Sequence, residues 1–348
     1  MATFYKVTIK DIQQETANAV SVLFNIPKQL QAEFRFTAGQ YITLQKEING
    51  EEVRRAYSIC STPESGDIRV AIKAVEKGVF STYATSDLKV GDDIEITAPE
   101  GRFLLSSEAN KNYIGFAAGS GITPILSMVK TVLAKESTST FTLVYGNKSE
   151  ADTIFFSELN TLKETFSNKF KLHYIFSREN VKNELRGRID ENVTNYFVKN
   201  MYKETSFDTA FLCGPEEMIH EVSKTLESNK IAKENIHFEL FTASTDEAAA
   251  SEVKEGATDV TILLDDETAV FTMQQTDTIL AASLRNDLDP PYSCQGGVCS
   301  SCLGKVTEGK AVMVKNSILT DGEIEEGLIL TCQAYPTTST ITVDFDDV

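Results

Sequence analysis

Residues 291–302 read PYSCQGGVCSSC, and residues 329–336 read ILTCQAYP. Together they set four of the six cysteines as Cys294-x4-Cys299-x2-Cys302, with Cys332 following after 29 further residues. This is the ligand spacing of plant-type [2Fe-2S] clusters. Three thiolates of one loop reach a small cluster only if the backbone turns tightly around it, and Gly296 and Gly297 permit that turn. Backbone N–H groups of such a loop can also donate to the sulfurs and raise the potential. The alternatives are zinc and disulfides. Zinc sites usually pair two short Cys/His knuckles, and Cys332 stands alone; disulfides belong to oxidising compartments. Cys60 and Cys213 lie outside the spacing, and Cys60, in a strand-like run, reads as a small buried hydrophobe. His173, His220 and His237 have no ligand-like spacing and read as structural or surface residues.

Upstream of the loop, DVTILL and AVFTM read as two short strands and 277–286 as a helix, so 258–348 forms one expected domain. Residues 242–257, TASTDEAAASEVKEGA, contain no large apolar side chain except Val253 and read as a linker. Before it, apolar runs (NYIGFAA, FTLVYGN, FKLHYIF, TAFLCG) alternate with helical segments starting at Pro124, near 153–166, near 191–201 and from Pro215. That rhythm predicts a parallel-sheet α/β nucleotide-binding domain over 107–241. Residues 1–106 instead hold short alternating runs such as FYKVTIK, YITLQKEI and DIEITAP, the pattern of an antiparallel β-barrel.

The 348 residues are 41% hydrophobic and 24% charged, ordinary for a multidomain globular protein. The N-terminus lacks the basic and apolar regions of a signal peptide, and no apolar run spans a bilayer, which together predict a cytoplasmic protein with no membrane partner. The net charge of -18 argues against nucleic-acid binding. It is unevenly spread: residues 258–348 carry 15 acidic and 4 basic side chains, a net of -11. That segment is either made soluble by its charge or offers an acidic docking face.

CQGGVCSSC, the stretch MVKNSILTDGEIEEGLILTCQAYP and the ending ITVDFDDV give a whole-chain resemblance to members of the ferredoxin-NADP reductase superfamily that carry a C-terminal [2Fe-2S] domain. The resemblance implies a flavin barrel, a nucleotide-binding domain and a β-grasp ferredoxin domain with Cys294, Cys299, Cys302 and Cys332 as iron ligands. Arg55-Ala56-Tyr57-Ser58 is similar to the family's R-x-Y-S flavin motif. Strand alternation puts Arg55 and Tyr57 on one face, the cation for a phosphate and the ring for the isoalloxazine; Ser58 is implied near flavin N5. Gly78 precedes Ser81 and Thr82, which look like helix N-terminal residues offering N–H groups to a pyrophosphate. FAD is the closer match, with FMN open.

Gly119, Gly121, Thr123 and Pro124 lie in AGSGITP, similar to the family's G-x-G-x-T-P turn. The glycines allow close approach of a dinucleotide, and a proline in the first helical turn needs no N–H partner. Cys213-Gly214-Pro215 ends a later strand, and the resemblance brings Cys213 to the nicotinamide; Tyr57, Ser58 and Cys213 are thus the expected hydride-transfer residues. Ser177 and Arg178 follow FKLHYIF, where an adenosine ribose would lie, with Arg186 and Arg188 close by. An arginine fork suits a 2'-phosphate, which favours NADPH over NADH, against the alternative that Arg178 pairs with Glu179. Phe241 is expected either over the flavin or in plain packing. The implied activity is an NAD(P)H-dependent reductase passing single electrons to an oxygenase component or another one-electron acceptor protein. The alternatives are an FMN- and NADH-dependent dioxygenase reductase and a non-catalytic redox-sensing, electron-storage protein.

Overall fold

A computed structural model describes residues 3–106, 108–135, 138–182 and 184–348; residue 107, the first of the expected nucleotide domain, falls outside them. The chain divides into two compact units, Phe4–Glu239 and one built on Leu240–Val348.

In the first unit, β1 (Phe4–Thr16), β2 (Ala19–Asn25), β3 (Tyr41–Ile48), β4 (Glu51–Ser58), β5 (Ile68–Lys73) and β6 (Asp93–Thr97) form an antiparallel sheet in the order β4-β3-β6-β1-β2-β5. The ends meet: Ile59, just past β4, bridges Val70 of β5, and Cys60 N–H donates to Arg69 O at 2.8 Å. Closure removes the free edges and gives the expected barrel. Every second residue points inward, so Val7, Ile9, Val20, Val22, Ile42, Leu44, Ile94 and Ile96 fill one core, with α1 (Val79–Ser86) contributing Phe80 and Ala84.

The chain then builds β7 (Asn112–Ala118), α2 (Ile122–Ala134), β8 (Thr140–Asn147), α3 (Phe156–Thr165), β9 (Phe170–Phe176), β10 (Leu185–Arg186), α4 (Glu191–Asn195), β11 (Thr209–Cys213), α5 (Glu216–Ser228) and β12 (Ile236–Glu239). The parallel sheet runs β10-β9-β8-β7-β11-β12, so successive strands leave β7 in opposite directions and a crevice opens at its C-terminal end. Eleven residues of α2 are buried, including Ser127 and Thr131. A helix apolar on one stripe only would not be; α2 lies between sheet and barrel, Ser127 Oγ donating to Ser61 O at 2.6 Å and Lys130 Nζ to Cys60 O at 3.1 Å. The helix expected near 191–201 is α4 continued by π-helical turns over Tyr196–Met201.

The second unit begins with α6 (Glu247–Glu252) inside the stretch read as a linker. Asp246 caps it, accepting from Ala248 and Ala249 N–H, and Asp246 N–H donates to Val314 O at 2.7 Å. The segment is therefore tied down by backbone and cap bonds rather than by apolar burial, which is why apolar periodicity does not reveal it. β13 (Ala257–Leu264), β14 (Glu267–Gln274), α7 (Ile279–Arg285), β15 (Leu303–Glu308), β16 (Ala311–Met313), α8 (Asp321–Glu325), β17 (Leu328–Leu330), β18 (Ala334–Pro336) and β19 (Thr340–Asp344) follow. The mixed sheet β14-β13-β19-β15-β17, with β13 and β19 parallel, grasps α7 through Ile279 and Ala282 packed with Val260, Ile262, Ile341 and Val343.

Candidate active site and iron-sulfur centre

β4 ends at the barrel's seam. Arg54 is buried, donating Nε to Gln45 Oε1 at 2.6 Å, pairing with Glu52 at 2.9 Å and lying over the Phe4 ring. Arg55 points the other way: one guanidinium N–H reaches Arg54 O at 2.6 Å, and it meets no carboxylate among the described residues. Tyr57 packs its ring on Phe80 of α1 at 5.7 Å, and burial pushes its hydroxyl pKa upward. Gly78 is the N-cap of α1 with no side-chain cap, so the N–H groups of Val79, Phe80 and Ser81 are not taken up by a cap. Ser81 Oγ is spent inside the turn, accepting from Val75 N–H at 3.3 Å, so only its N–H is on offer; Thr82 is exposed on the same turn. A free cation, an aromatic ring and an uncapped helix start fit a flavin carrying phosphate.

At the C-terminal edge of the parallel sheet, β7 leads through Gly119–Gly121 into α2. A Cβ on Gly121 would lie 2.1 Å from Cys213 O, so the turn after β7 and the end of β11 touch backbone to backbone only because that position is glycine. Tyr145 OH donates to Gly119 O at 2.9 Å and Thr123 Oγ1 to Ser120 O at 3.0 Å, which makes Thr123 a brace of the turn. Pro124 stands third in α2, among the orphan N–H positions. Gly214 and Pro215 join β11 to α5, with Pro215 as the N-cap.

Three strand ends converge here. Ser58 Oγ donates to Glu239 Oε2 at 3.2 Å, and Cys213 is fully buried within the field of the same carboxyl. Burial pushes the Glu239 carboxyl up to about 8, against the lowering effect of Ser58. The Cys213 thiol is pushed far above its ordinary value, first by burial and then by Glu239. In the sequence Glu239 stands only in Glu239-Leu240-Phe241 at the close of the 107–241 segment. The available signal was a carboxylate at the last position of the short strand Ile236–Glu239, which also carries His237.

Ser177 N–H and Oγ both donate to Asn147 O, and Arg178 N–H to Lys148 O at 2.9 Å, pinning these residues at the ends of β8 and β9. The Glu179 carboxylate accepts from Glu150 N–H at 2.8 Å, and an Arg178–Glu179 ion pair is absent among the described residues. Arg178, Arg186 and Arg188 are exposed, with no side-chain partner among the described residues. Lys73, half-buried beside Gly119, has its pKa lowered by burial and then by Lys148, a pair of cations that no motif announced. A cavity of about 410 Å³ opens elsewhere, at the N-terminal edge of the same sheet among Lys111, Tyr113, Phe211, Lys230 and His237, and holds none of these site residues.

In the second unit the four thiols form two pairs. Cys299 Sγ donates to Cys294 Sγ at 3.0 Å, and Cys302 is hydrogen-bonded to Cys332. Cys299, Cys302 and Cys332 are buried and Cys294 partly so. The hydrogen bond from Cys299 holds the Cys294 thiol down at about 6, helped by backbone N–H groups of Gly296, Val298 and Cys299. A Cβ on Gly297, which has φ +73°, would come within 2.7 Å of Lys315 O. Among the described residues no three metal-ligating side chains converge as a single ion requires. Two thiol pairs with N–H donors fit two irons of two thiolates each.

Matches to known proteins cover the chain. Residues 6–104 match the oxidoreductase FAD-binding domain, 116–224 the oxidoreductase NAD-binding domain and 262–337 the 2Fe-2S iron-sulfur cluster binding domain. The chain is 38% identical to a subunit of the 1,2-phenylacetyl-CoA epoxidase of Escherichia coli K12, covering 99% of each. It is 30% identical to the ferredoxin reductase component of 3-ketosteroid-9-alpha-monooxygenase from Rhodococcus rhodochrous, over 97% of this chain and 96% of that one. Phthalate dioxygenase reductase shares the fold at a TM-score of 0.65 and 24% identity, with 98% of each chain covered. With barrel, crevice and thiol loop each falling within the matching segment, the chain belongs to the ferredoxin-NADP reductase superfamily, as an electron-transfer oxidoreductase using FAD, a pyridine nucleotide and a [2Fe-2S] cluster.

Proposed function

We propose that this chain is the cytoplasmic reductase component of a multicomponent oxygenase acting on phenylacetyl-CoA, drawing on NADPH. The observation that carries the partner is the similarity along the whole chain to the epoxidase subunit of Escherichia coli, strengthened by a second relative that also serves a monooxygenase. A flavin held there would supply the conversion of a two-electron hydride donor into single electrons, and a cluster on the four thiols would supply their one-electron exit. The chain's own residues do the rest. Arg55 and the first turn of α1 (Gly78, Ser81, Thr82) hold flavin phosphate, and Tyr57 supports its ring. Gly119, Gly121, Thr123 and Pro124 shape the dinucleotide turn, while Gly214 and Pro215 open the space over Cys213. Ser177, Arg178 and Arg188 take the 2'-phosphate, which the lack of a Glu179 pair favours. Ser58, Cys213 and Glu239 line the transfer point: Ser58 orients, Cys213 supplies a small neutral wall, and Glu239 holds a proton beside Ser58. Cys294, Cys299, Cys302 and Cys332 are the iron ligands. The corresponding division is 1–106 for flavin, 107–241 for nucleotide and 258–348 for the cluster.

The test is the visible spectrum of anaerobic protein before and after NADPH or NADH, followed by mixing with a purified oxygenase that turns over phenylacetyl-CoA. Flavin and iron-sulfur bands should bleach faster with NADPH, and the oxygenase should then be reduced. A fully loaded protein that no nicotinamide bleaches would end the reductase reading; bleaching without reduction of that oxygenase would end the assignment of partner.

A further inference from the structure

The thiol loop is restrained by two side chains from outside it. Ser317 Oγ donates to Gly297 O at 3.0 Å, and Gln333 Nε2 donates to Gln295 O at 2.9 Å. Gln295, between Cys294 and Gly296, has φ +51°, a left-handed conformation that opposes any side chain with a Cβ. Its own side chain is exposed, so local packing does not hold it there. Gln333 is the residue after Cys332 and only 9% exposed.

We propose that Gln333 is a positioning residue of the iron-sulfur centre: by fixing the Gln295 carbonyl, its amide locks the loop bearing Cys294 and Cys299 to the strand end bearing Cys332. This rests on those cysteines being the ligands. Two consequences follow. Without the clamp Gln295 relaxes out of the left-handed region, the first thiol pair loses its register with the second, and the cluster is released faster. With the amide gone, a buried polar N–H group one residue from Cys332 is also replaced by an apolar side chain. Donors stabilise the more negative, reduced cluster, so the potential falls. A glycine at 295 adopts the left-handed turn without strain, so it should cure the loosening and leave the potential low.

The experiment compares the full-length, cluster-loaded wild type, Gln333→Leu and the double variant Gln295→Gly/Gln333→Leu. It measures cluster midpoint potential by redox titration and the rate of absorbance loss in an iron chelator. Gln333→Leu should lose its cluster about tenfold faster and titrate at lower potential; the double variant should regain the wild-type release rate and keep the lowered potential. Wild-type behaviour of Gln333→Leu in both measurements overturns the proposal. If Gln333→Leu purifies empty, a loaded double variant supports it, and an empty one overturns it by making Gln333 a folding residue of the whole unit. Iron-free wild type would instead defeat the ligand assignment, and the proposal with it.

Discussion

Glu239 shows how much one buried side chain can decide. Its pKa is raised by burial, so the folded protein keeps its proton to about pH 8, while the unfolded chain releases it near the ordinary carboxyl value of 4.5. Between those limits the folded state binds more protons than the unfolded one, so stability falls as pH rises from about 4.5 to about 8 and is level beyond. The full effect is of order a few kcal/mol, and thermal melts of Glu239→Gln should lack this slope. The same proton sits beside Ser58; with Ser58 at the proposed transfer point, reduction would build negative charge there, so NADPH-driven bleaching should slow as pH climbs through about 8. Glu239→Gln should be slower by about a hundredfold at pH 7 and lose that break; an unchanged pH profile would show that Glu239 is a spectator. Arg178 tests a different residue-level effect. Loss of one arginine–phosphate contact, worth about 1.5–3 kcal/mol, should raise the KM for NADPH roughly ten- to hundredfold in Arg178→Ala while NADH kinetics stay put.

Among the elements, the turn between β7 and α2 is the least forgiving. Gly121→Ala would drive a methyl against Cys213 O, where backbone on both sides cannot yield. The expected result is a protein that retains flavin and iron yet is no longer bleached by NADPH; normal bleaching would mean that the turn opens at little cost. α2 gives a stability counterpart: Leu126 is fully buried, and Leu126→Ala should cost about 2–5 kcal/mol in denaturant titrations. These elements also show what could be read in advance. Alternation in β1–β6, the strand-helix rhythm of β7–β12 and the spacing of four cysteines are local patterns, and the fold follows them. Convergence is different. Ser58 and Glu239 are 181 residues apart, and Lys73 meets Lys148 only after the barrel packs on the sheet. No local period encodes such meetings. The cap at Asp246 and the π-helical turns after Asn195 leave no trace in apolar spacing because hydrogen bonding defines them.

For the whole molecule, the division at Glu239/Leu240 separates chemistry as well as structure. All residues assigned to flavin and nucleotide lie before it, and all four paired thiols after it. The second unit has its own cores, Val260, Ile262, Ile279 and Val343 in one and Cys302, Leu319, Leu330 and Cys332 in the other. A chain stopped at 241 should therefore hold flavin and oxidise NADPH with ferricyanide yet fail to reduce the oxygenase. Residues 240–348 alone should bind iron and no flavin. Charge makes the remaining prediction. With a net of -11 over residues 258–348, the cluster-bearing unit attracts a basic partner surface over a Debye length of about 8–10 Å. Raising salt shortens that reach and slows encounter, but it leaves electron flow within one chain untouched once NADPH is saturating. Oxygenase reduction should then drop severalfold between low and about 0.5 M salt, while internal bleaching at saturating NADPH holds steady. Equal rates at both salt concentrations would reduce the acidic surface to a device for solubility and direct the search for the docking face to uncharged residues around the partly exposed Cys294.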